Sequence, residues 1–499
     1  MTDSLAALKA RLARIKDLHA AAAVLDWDQE TMMPSGSTEA RARQTSTLQE
    51  LAHELFTSDE TGALLEIAVP GTEIEKDLVR VVTDDFRKAR RIPADLVARF
   101  ARETSLAREG WQAARQADEF DRFEPHLARI VDLCVERAEA LGYKESRYDA
   151  LIDEFEPGMT TAGITSVFGA LRAELVPIVR AIAEANPEHQ TTARVLRRHF
   201  PVDRQRVFAE KAMADIGYDF RCGRQDESSH PFTTSFSITD VRVTTRYEIH
   251  HFPSALFGSL HEAGHGMYEQ GIDPELEGTP LADGTSLGMH ESQSRFWENQ
   301  VGRSRAFWDG RFPSLKDLFP AALQDQTAES FWRAVNHVAP SLIRVEADEV
   351  TYNLHIMLRF EIEKQLIGGT LKAKDVPEAW NALTTDFLGL TPPNDADGCL
   401  QDIHWSSGIL GYFPTYALGN LMSAQLWNAA TRDLGDLDEL VRLGEFAPIL
   451  GWMRKRVHRW GRRRTANEIL QETTGGGLDA EPWLAYVRKK YGGLYGLEL

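Results

Sequence analysis

Apolar residues return at helical intervals along nearly the whole chain, and this periodicity constrains the fold more than any other feature. In ARIVDLCVERAEALG and GALRAELVPIVRAIAEA, Leu, Ile, Val and Ala recur every three or four positions with charged residues opposite them. That is the pattern of helices burying one face. Breaks at Pro34-Ser35-Gly36, Pro70-Gly71, Pro157-Gly158 and Thr391-Pro392-Pro393-Asn394 separate helices without the long polar linkers that divide independent domains. The sequence therefore predicts a mainly α fold, with residues 1–499 forming one large multi-helix body, whether undivided or as two lobes flanking a cleft.

One segment departs from the helical period. Residues 231–248, PFTTSFSITDVRVTTRYE, nearly alternate and are rich in Phe, Thr, Val and Tyr. They predict a β-hairpin turning at Thr239-Asp240. An edge strand beside a cleft can hold an extended peptide through main-chain hydrogen bonds.

With 499 residues, 43% hydrophobic and 26% charged, the chain has ample material for a buried core. Its 56 basic and 75 acidic residues leave a net charge of −19. That balance weighs against nucleic acid or an anionic membrane as a main partner. The basic tract MRKRVHRWGRRR, with Arg454, Lys455, Arg456, Arg459, Arg462, Arg463 and Arg464 around Trp460, is the exception. It reads first as a helix face paired with acidic neighbours, and second as a nucleic-acid patch. Cys134, Cys222 and Cys399 are too few and too scattered for a disulfide framework. The amino-terminal residues read as a helix with Leu5, Leu8, Leu12, Ile15 and Leu18 on one face, unlike the core of a signal peptide. No stretch approaches the roughly 20 apolar residues of a membrane span. These features together predict a cytoplasmic protein.

The pivotal motif is His261-Glu262-Ala263-Gly264-His265. On a helix, side chains four apart share a face at about 5 to 6 Å, so two imidazoles can hold one divalent cation. Glu262 projects beside them, suited to take a proton from water activated there. Its flanks, SALFGSL and GMY, are apolar, as a buried helix requires. A third ligand from another helix would leave one position open. Glu291 in GMHESQSRFWENQ is the choice, and spacing leaves His290 as an alternative. A His-His-Glu set takes Zn²⁺ by default, with Co²⁺ or Mn²⁺ also accommodated.

At this point the chain resembles the carboxypeptidase Taq metallopeptidases. The likeness rests on His230-Pro231-Phe232, Asp240-Val241-Arg242-Val243-Thr244, the His261 to His265 motif, His290-Glu291-Ser292-Gln293, Ile343-Arg344-Val345-Glu346-Ala347-Asp348 and Gly398-Cys399-Leu400-Gln401-Asp402-Ile403-His404-Trp405. It extends to LDWDQETMMP near the start and YVRKKYGGLYGLEL at the end. The resemblance implies a large helical metallopeptidase fold of the neurolysin and angiotensin-converting-enzyme kind, with a deep cleft and the hairpin beside the active-site helix. It implies a broad-specificity metallocarboxypeptidase acting on peptides with a free C-terminal carboxylate, and a homodimer. His261, His265 and Glu291 then become metal ligands and Glu262 the general base.

The remaining roles follow from what amide hydrolysis needs. QDIHWSSGILGYFPTY supplies His404, Tyr412 and Tyr416 as oxyanion donors; the resemblance favours His404 and Tyr412. Arg242 on the hairpin and Arg344 on a predicted IRVEADEV helix are the candidates for gripping a terminal carboxylate. Asp348 could orient a ligand histidine, and the resemblance gives His230 and Gln401 a part in shaping the substrate pocket. Two alternatives remain: a zinc oligopeptidase or endopeptidase with the same centre, and a closed structural zinc site, for which Glu262 would have no use.

Overall fold

The computed structural model describes residues 2–185 and 193–499. The expected helicity is present throughout. The amino-terminal helix α1, Thr2–Thr31, buries Leu5, Leu8, Leu12 and Ile15, whereas Leu18 is only half-buried. These leucines join Leu65, Leu78, Val82, Ile272, Leu276 and Leu281 in a small apolar cluster, while a much larger one fills the rest of the protein.

The helix Thr161–Ala185 corrects the reading of apolar runs. Its mean hydropathy reaches 1.4 over 18 residues, so by length and composition it is able to cross a membrane. Arg172 and Glu174 interrupt it, so it contains no unbroken apolar run of membrane-spanning length. Here Ile164, Phe168, Leu171, Leu175, Val179 and Ile182 are buried in the protein. Arg172 lies 5.0 Å from the Phe387 ring, and Glu174 pairs with Arg488 at 2.9 Å.

The hairpin is real but shorter than expected, and it belongs to a three-stranded sheet. Strands β1 (Gln225–Glu227), β2 (Thr233–Ser237) and β3 (Asp240–Thr245) lie in the order β1-β3-β2. β3 is antiparallel to β2, with Thr233 opposite Val243, and parallel to β1. The turn falls at Ile238-Thr239, and Asp240 already begins β3. Val241 and Val243 are fully buried.

Four further elements frame the site: helices α2 (Phe252–Gln270), α3 (Leu287–Arg295), α4 (Tyr352–Gly368) and α5 (Pro414–Leu434). α2 is buried on most sides, as its apolar flanks require. α3 starts at Ser286, whose hydroxyl accepts from Met289 N at 3.0 Å, and continues into a π-helical stretch, Phe296–Gly302. Two glycines permit the close packing. A Cβ at Gly264 would lie 2.6 Å from the Gln293 carbonyl oxygen, and one at Gly419 would lie 2.5 Å from Cβ and Cγ of Glu291. Without these absences α2, α3 and α5 could not approach as they do.

The basic tract is largely consumed by ion pairs. Arg462 binds Asp85 through two nitrogens at 2.8 and 2.9 Å, Arg463 binds Asp77 at 2.9 Å, and Arg456 binds Asp433 at 3.0 Å. It ties the C-terminal region to the helix Glu73–Arg91.

Candidate metal centre and catalytic residues

Because α2 places His261 and His265 one turn apart, both imidazoles face the same side, and α3 brings Glu291 across to meet them. Nε2 of each histidine stands 3.5 Å from Oε2 of Glu291. One ligand atom from each of the three lies within 4.8 Å of the others. The histidine side chains keep 18% and 17% exposure, so the cluster is reachable from solvent. Two nitrogens and a carboxylate oxygen converging this way fit a divalent cation, which would keep a further position for water or substrate.

Each ligand is fixed from behind. Nδ1 of His261 donates to Glu298 Oε2 at 2.9 Å. Nδ1 of His265 meets Nδ1 of His290 at 3.0 Å, and Nε2 of His290 meets Glu269 Oε1 at 2.6 Å. A metal on Nε2 of His265 would leave the proton on its Nδ1, which would then donate to His290, and His290 in turn to Glu269. His290 thus lies behind His265, outside the three side chains that converge. Arg295 Nε donates to Glu291 Oε1 at 2.6 Å, and Arg303 donates to Glu298 Oε1 at 3.0 Å.

Glu291, Glu298 and His265 carry the charges a cation site requires, whereas, against their burial, Glu291 and Glu298 raise the proton affinity of His261 and Glu269 raises that of His290. Burial opposes an ionised Glu291, but Arg295 and the imidazoles outweigh it and hold the carboxyl well below its ordinary range. Glu298 is depressed likewise against its burial, by Arg295, His261 and Arg303. Burial pushes His265 down to about 4, towards the neutral form that binds metal.

Glu262 is buried beside the ligands. The Thr233 hydroxyl, from β2, donates to its Oε2 at 2.6 Å. Burial raises its proton affinity above that of an ordinary glutamate.

A second group lies close by. His404 sits in a short 3₁₀ turn, His404–Ser407, and α5 begins just beyond Tyr412. The His404 ring is 5.6 Å from that of Tyr412 and 6.4 Å from that of Tyr416, and Tyr412 and Tyr416 are 5.2 Å apart. Burial lowers His404 to about 4.

The arginines differ from expectation in their surroundings. IRVEADEV is not a helix. Arg344–Glu346 form one 3₁₀ turn, and α4 begins only at Tyr352. Arg344 is buried and binds Asp402 at 2.8 Å, not an acid on its own segment, and its Nη1 donates to the Tyr352 hydroxyl at 3.2 Å. Arg359, fully buried, also binds Asp402, while Gln401 Oε1 accepts from Arg344 N and Arg359 Nη2. Arg242 pairs with Asp240 at 2.9 Å through two nitrogens and lies over Trp27 and Phe236. Asp348 does not reach a ligand histidine. It accepts from the backbone of Ala339, Val350 and Thr351, and the carboxylate that meets His261 is Glu298. His230 is exposed just before β2.

Glu269, Arg295 and Glu298 escaped the sequence reading, although helical spacing carried a signal. Glu269 follows His265 by one turn, while Arg295 and Glu298 follow Glu291 by one and two turns.

Known proteins share both this fold and this sequence. Residues 7–491 match the family model for carboxypeptidase Taq (M32) metallopeptidase. The chain is 43% identical over 491 residues to thermostable carboxypeptidase 1 of Thermus thermophilus, covering 95% of each. It is 37% identical over 488 residues to carboxypeptidase 1 of Bacillus subtilis, covering 97% of each. The crystal structure of an M32 carboxypeptidase from Deinococcus radiodurans R1 superposes with a TM-score of 0.96 at 42% identity, over 99% of this chain and 100% of that one. Likeness at this level along the full length means that the chain belongs to the carboxypeptidase Taq (M32) family and is a metallocarboxypeptidase.

Proposed function

We propose that this enzyme releases the C-terminal residue from peptides with broad specificity, using one divalent cation held by His261, His265 and Glu291. The convergence of those three side chains beside a buried, hydrogen-bonded Glu262 is the observation that carries the reading. Zinc is the default ion, with cobalt or manganese as alternatives. When bound, the cation supplies a Lewis acid that polarises the scissile carbonyl and brings the pKa of water towards about 7.

The protein's own groups do the rest. Thr233 holds Glu262 in place, and burial makes its carboxylate a stronger base than a free glutamate. Glu262 takes the proton of the attacking water and delivers it to the departing amine nitrogen. His404 and Tyr412 donate hydrogen bonds to the oxygen on which negative charge develops. In support, the buried Nδ1 of His404 lies 3.8 Å from Asp402 Oδ1 and makes no hydrogen bond to any described residue, so Asp402 faces that edge of the ring and Nε2 is the nitrogen a substrate atom would meet.

We assign recognition of the terminal carboxylate to Arg344. Asp402 is shared between Arg344 and Arg359, so Arg344 has no carboxylate to itself. A substrate carboxylate would supply one. Arg242 is already matched by Asp240, so we give it and the exposed His230 a part in shaping the approach to β2. A homodimer in the cytoplasm completes the proposal. It rests on the family likeness and on three cysteines that are all free thiols.

A peptide and its C-terminally amidated twin test the reading. Residue release from the free acid, with little or none from the amide, is expected. Equal internal cleavage of both would make the enzyme an oligopeptidase instead.

A further inference from the structure

Glu363 lies on α4, fully buried, and belongs to none of the groups described above. Its carboxylate accepts three hydrogen bonds. Trp405 Nε1 donates to Oε1 at 2.8 Å, Gly411 N donates to Oε2 at 2.8 Å, and the Tyr148 hydroxyl donates to Oε2 at 2.5 Å. Trp405 directly follows His404, and Gly411 directly precedes Tyr412. One carboxylate thus fastens the residue next to each proposed oxyanion donor, through the Trp405 indole at one end of the connecting loop and the Gly411 backbone at the other, with one oxygen for each.

The loop is braced so that these two bonds define its position. Trp405 packs edge-on against Trp380 at 5.9 Å, which fixes the indole that carries the first donor. Gly411 has φ +99° and presses so closely on Leu151 that a Cβ would lie 2.8 Å from its carbonyl carbon. A buried carboxylate is costly unless its oxygens are satisfied, and here every partner is a donor.

We propose that Glu363 is a positioning residue for catalysis, setting the spacing between His404 and Tyr412 by holding the loop between them at both ends. The inference rests on the oxyanion role given above to those two residues. An amide at this position would match the three donors with a single acceptor oxygen, and its NH₂ group would face either Trp405 Nε1 or the Gly411 and Tyr148 side. Glu363→Gln therefore releases at least one end of the loop. A displacement on the scale of 1 Å at a reacting group costs about 10²-fold in rate.

The test is steady-state peptide hydrolysis by metal-loaded Glu363→Gln, Tyr148→Phe and Trp405→Phe enzymes, with melting temperature measured alongside. The expectation for Glu363→Gln is a kcat reduced by roughly 10- to 100-fold, with KM changed by less than about three-fold. Tyr148→Phe keeps both loop bonds, so it should lower the melting temperature while kcat stays within about two-fold. Trp405→Phe removes one loop bond alone and should lower kcat less than Glu363→Gln does; it carries the test if Glu363→Gln does not fold. Adding Glu363→Gln to a His404→Ala, Tyr412→Phe enzyme should cost nothing further, because the groups it positions are gone. A Glu363→Gln enzyme with full kcat would overturn the proposal. So would a kcat loss that merely tracks melting temperature across the three variants, or one that persists undiminished in the His404→Ala, Tyr412→Phe background. If His404→Ala and Tyr412→Phe themselves keep full kcat, the oxyanion reading is what has failed, and the role of Glu363 falls with it.

Discussion

Arg295 donates through Nε to Oε1 of Glu291 at 2.6 Å, while Oε2 of the same carboxylate stands 3.5 Å from Nε2 of both His261 and His265. Oε1 is thus anchored by Arg295, while Oε2, which also accepts from the Ser294 hydroxyl at 3.1 Å, faces the imidazoles. Arg295→Met should free the carboxylate to rotate and remove the charge that keeps it ionised. Metal affinity, measured by competition with a chelator, is expected to fall by about 10- to 100-fold. Arg295→Lys should recover only part of this, since a lysine lacks the planar guanidinium fork.

The two ligand histidines are backed differently, and this gives a second prediction. Glu298 accepts from His261 directly, whereas Glu269 reaches His265 only through His290. Glu298→Gln and Glu269→Gln should each weaken metal binding by about ten-fold or more while leaving the bound stoichiometry at one. His265→Ala should abolish binding under the same conditions. Calorimetric titration of metal-free protein reads all three.

Gly419 faces Glu291 so closely that a Cβ would lie 2.5 Å from its side chain. Gly419→Ala must therefore push α3 away from α5. A loss of about 1 to 3 kcal/mol in stability is expected, together with weaker metal binding. An alanine variant with both properties unchanged would show that the helices have slack which this packing denies.

These residues also show what the sequence could reveal. The two histidines, Glu262 and Glu291 were legible because metal chemistry demands particular residue types at helical spacing. The supports behind them were not, because a glutamate one turn further along a helix looks the same whether it faces solvent or a buried imidazole. Glu363 is such a case. The IRVEADEV segment misled for a local reason: Asp348 bonds to the backbone of Val350 and Thr351, satisfying amides that a helix would have used. β1 went unread because Gln225-Asp226-Glu227 has no apolar alternation, and β3 supplies its pairing.

Stability should depend on pH through Glu156. It is buried, accepts from Gly288 N at 2.9 Å at the start of α3, and burial raises its pKa from 4.5 to about 7. The folded protein therefore binds this proton more tightly than the unfolded chain does. The stabilising contribution is complete below pH 4.5 and is lost as pH rises through about 7, with a total of about 3 kcal/mol. Glu156→Gln cannot ionise, so its melting temperature relative to the parent enzyme should be more favourable at pH 8 than at pH 5. A difference that is the same at both values would contradict the assignment.

The division of labour between cation and base within one motif is the centre of the proposed mechanism. Its most direct test is Glu262→Gln, assayed for metal content and for residue release on the same preparation. Because His261, His265 and Glu291 are untouched, the variant should hold one equivalent of metal while kcat falls by about 10²- to 10⁴-fold. A variant that keeps its metal and still turns over at the parental rate would contradict the assignment of Glu262 as the base.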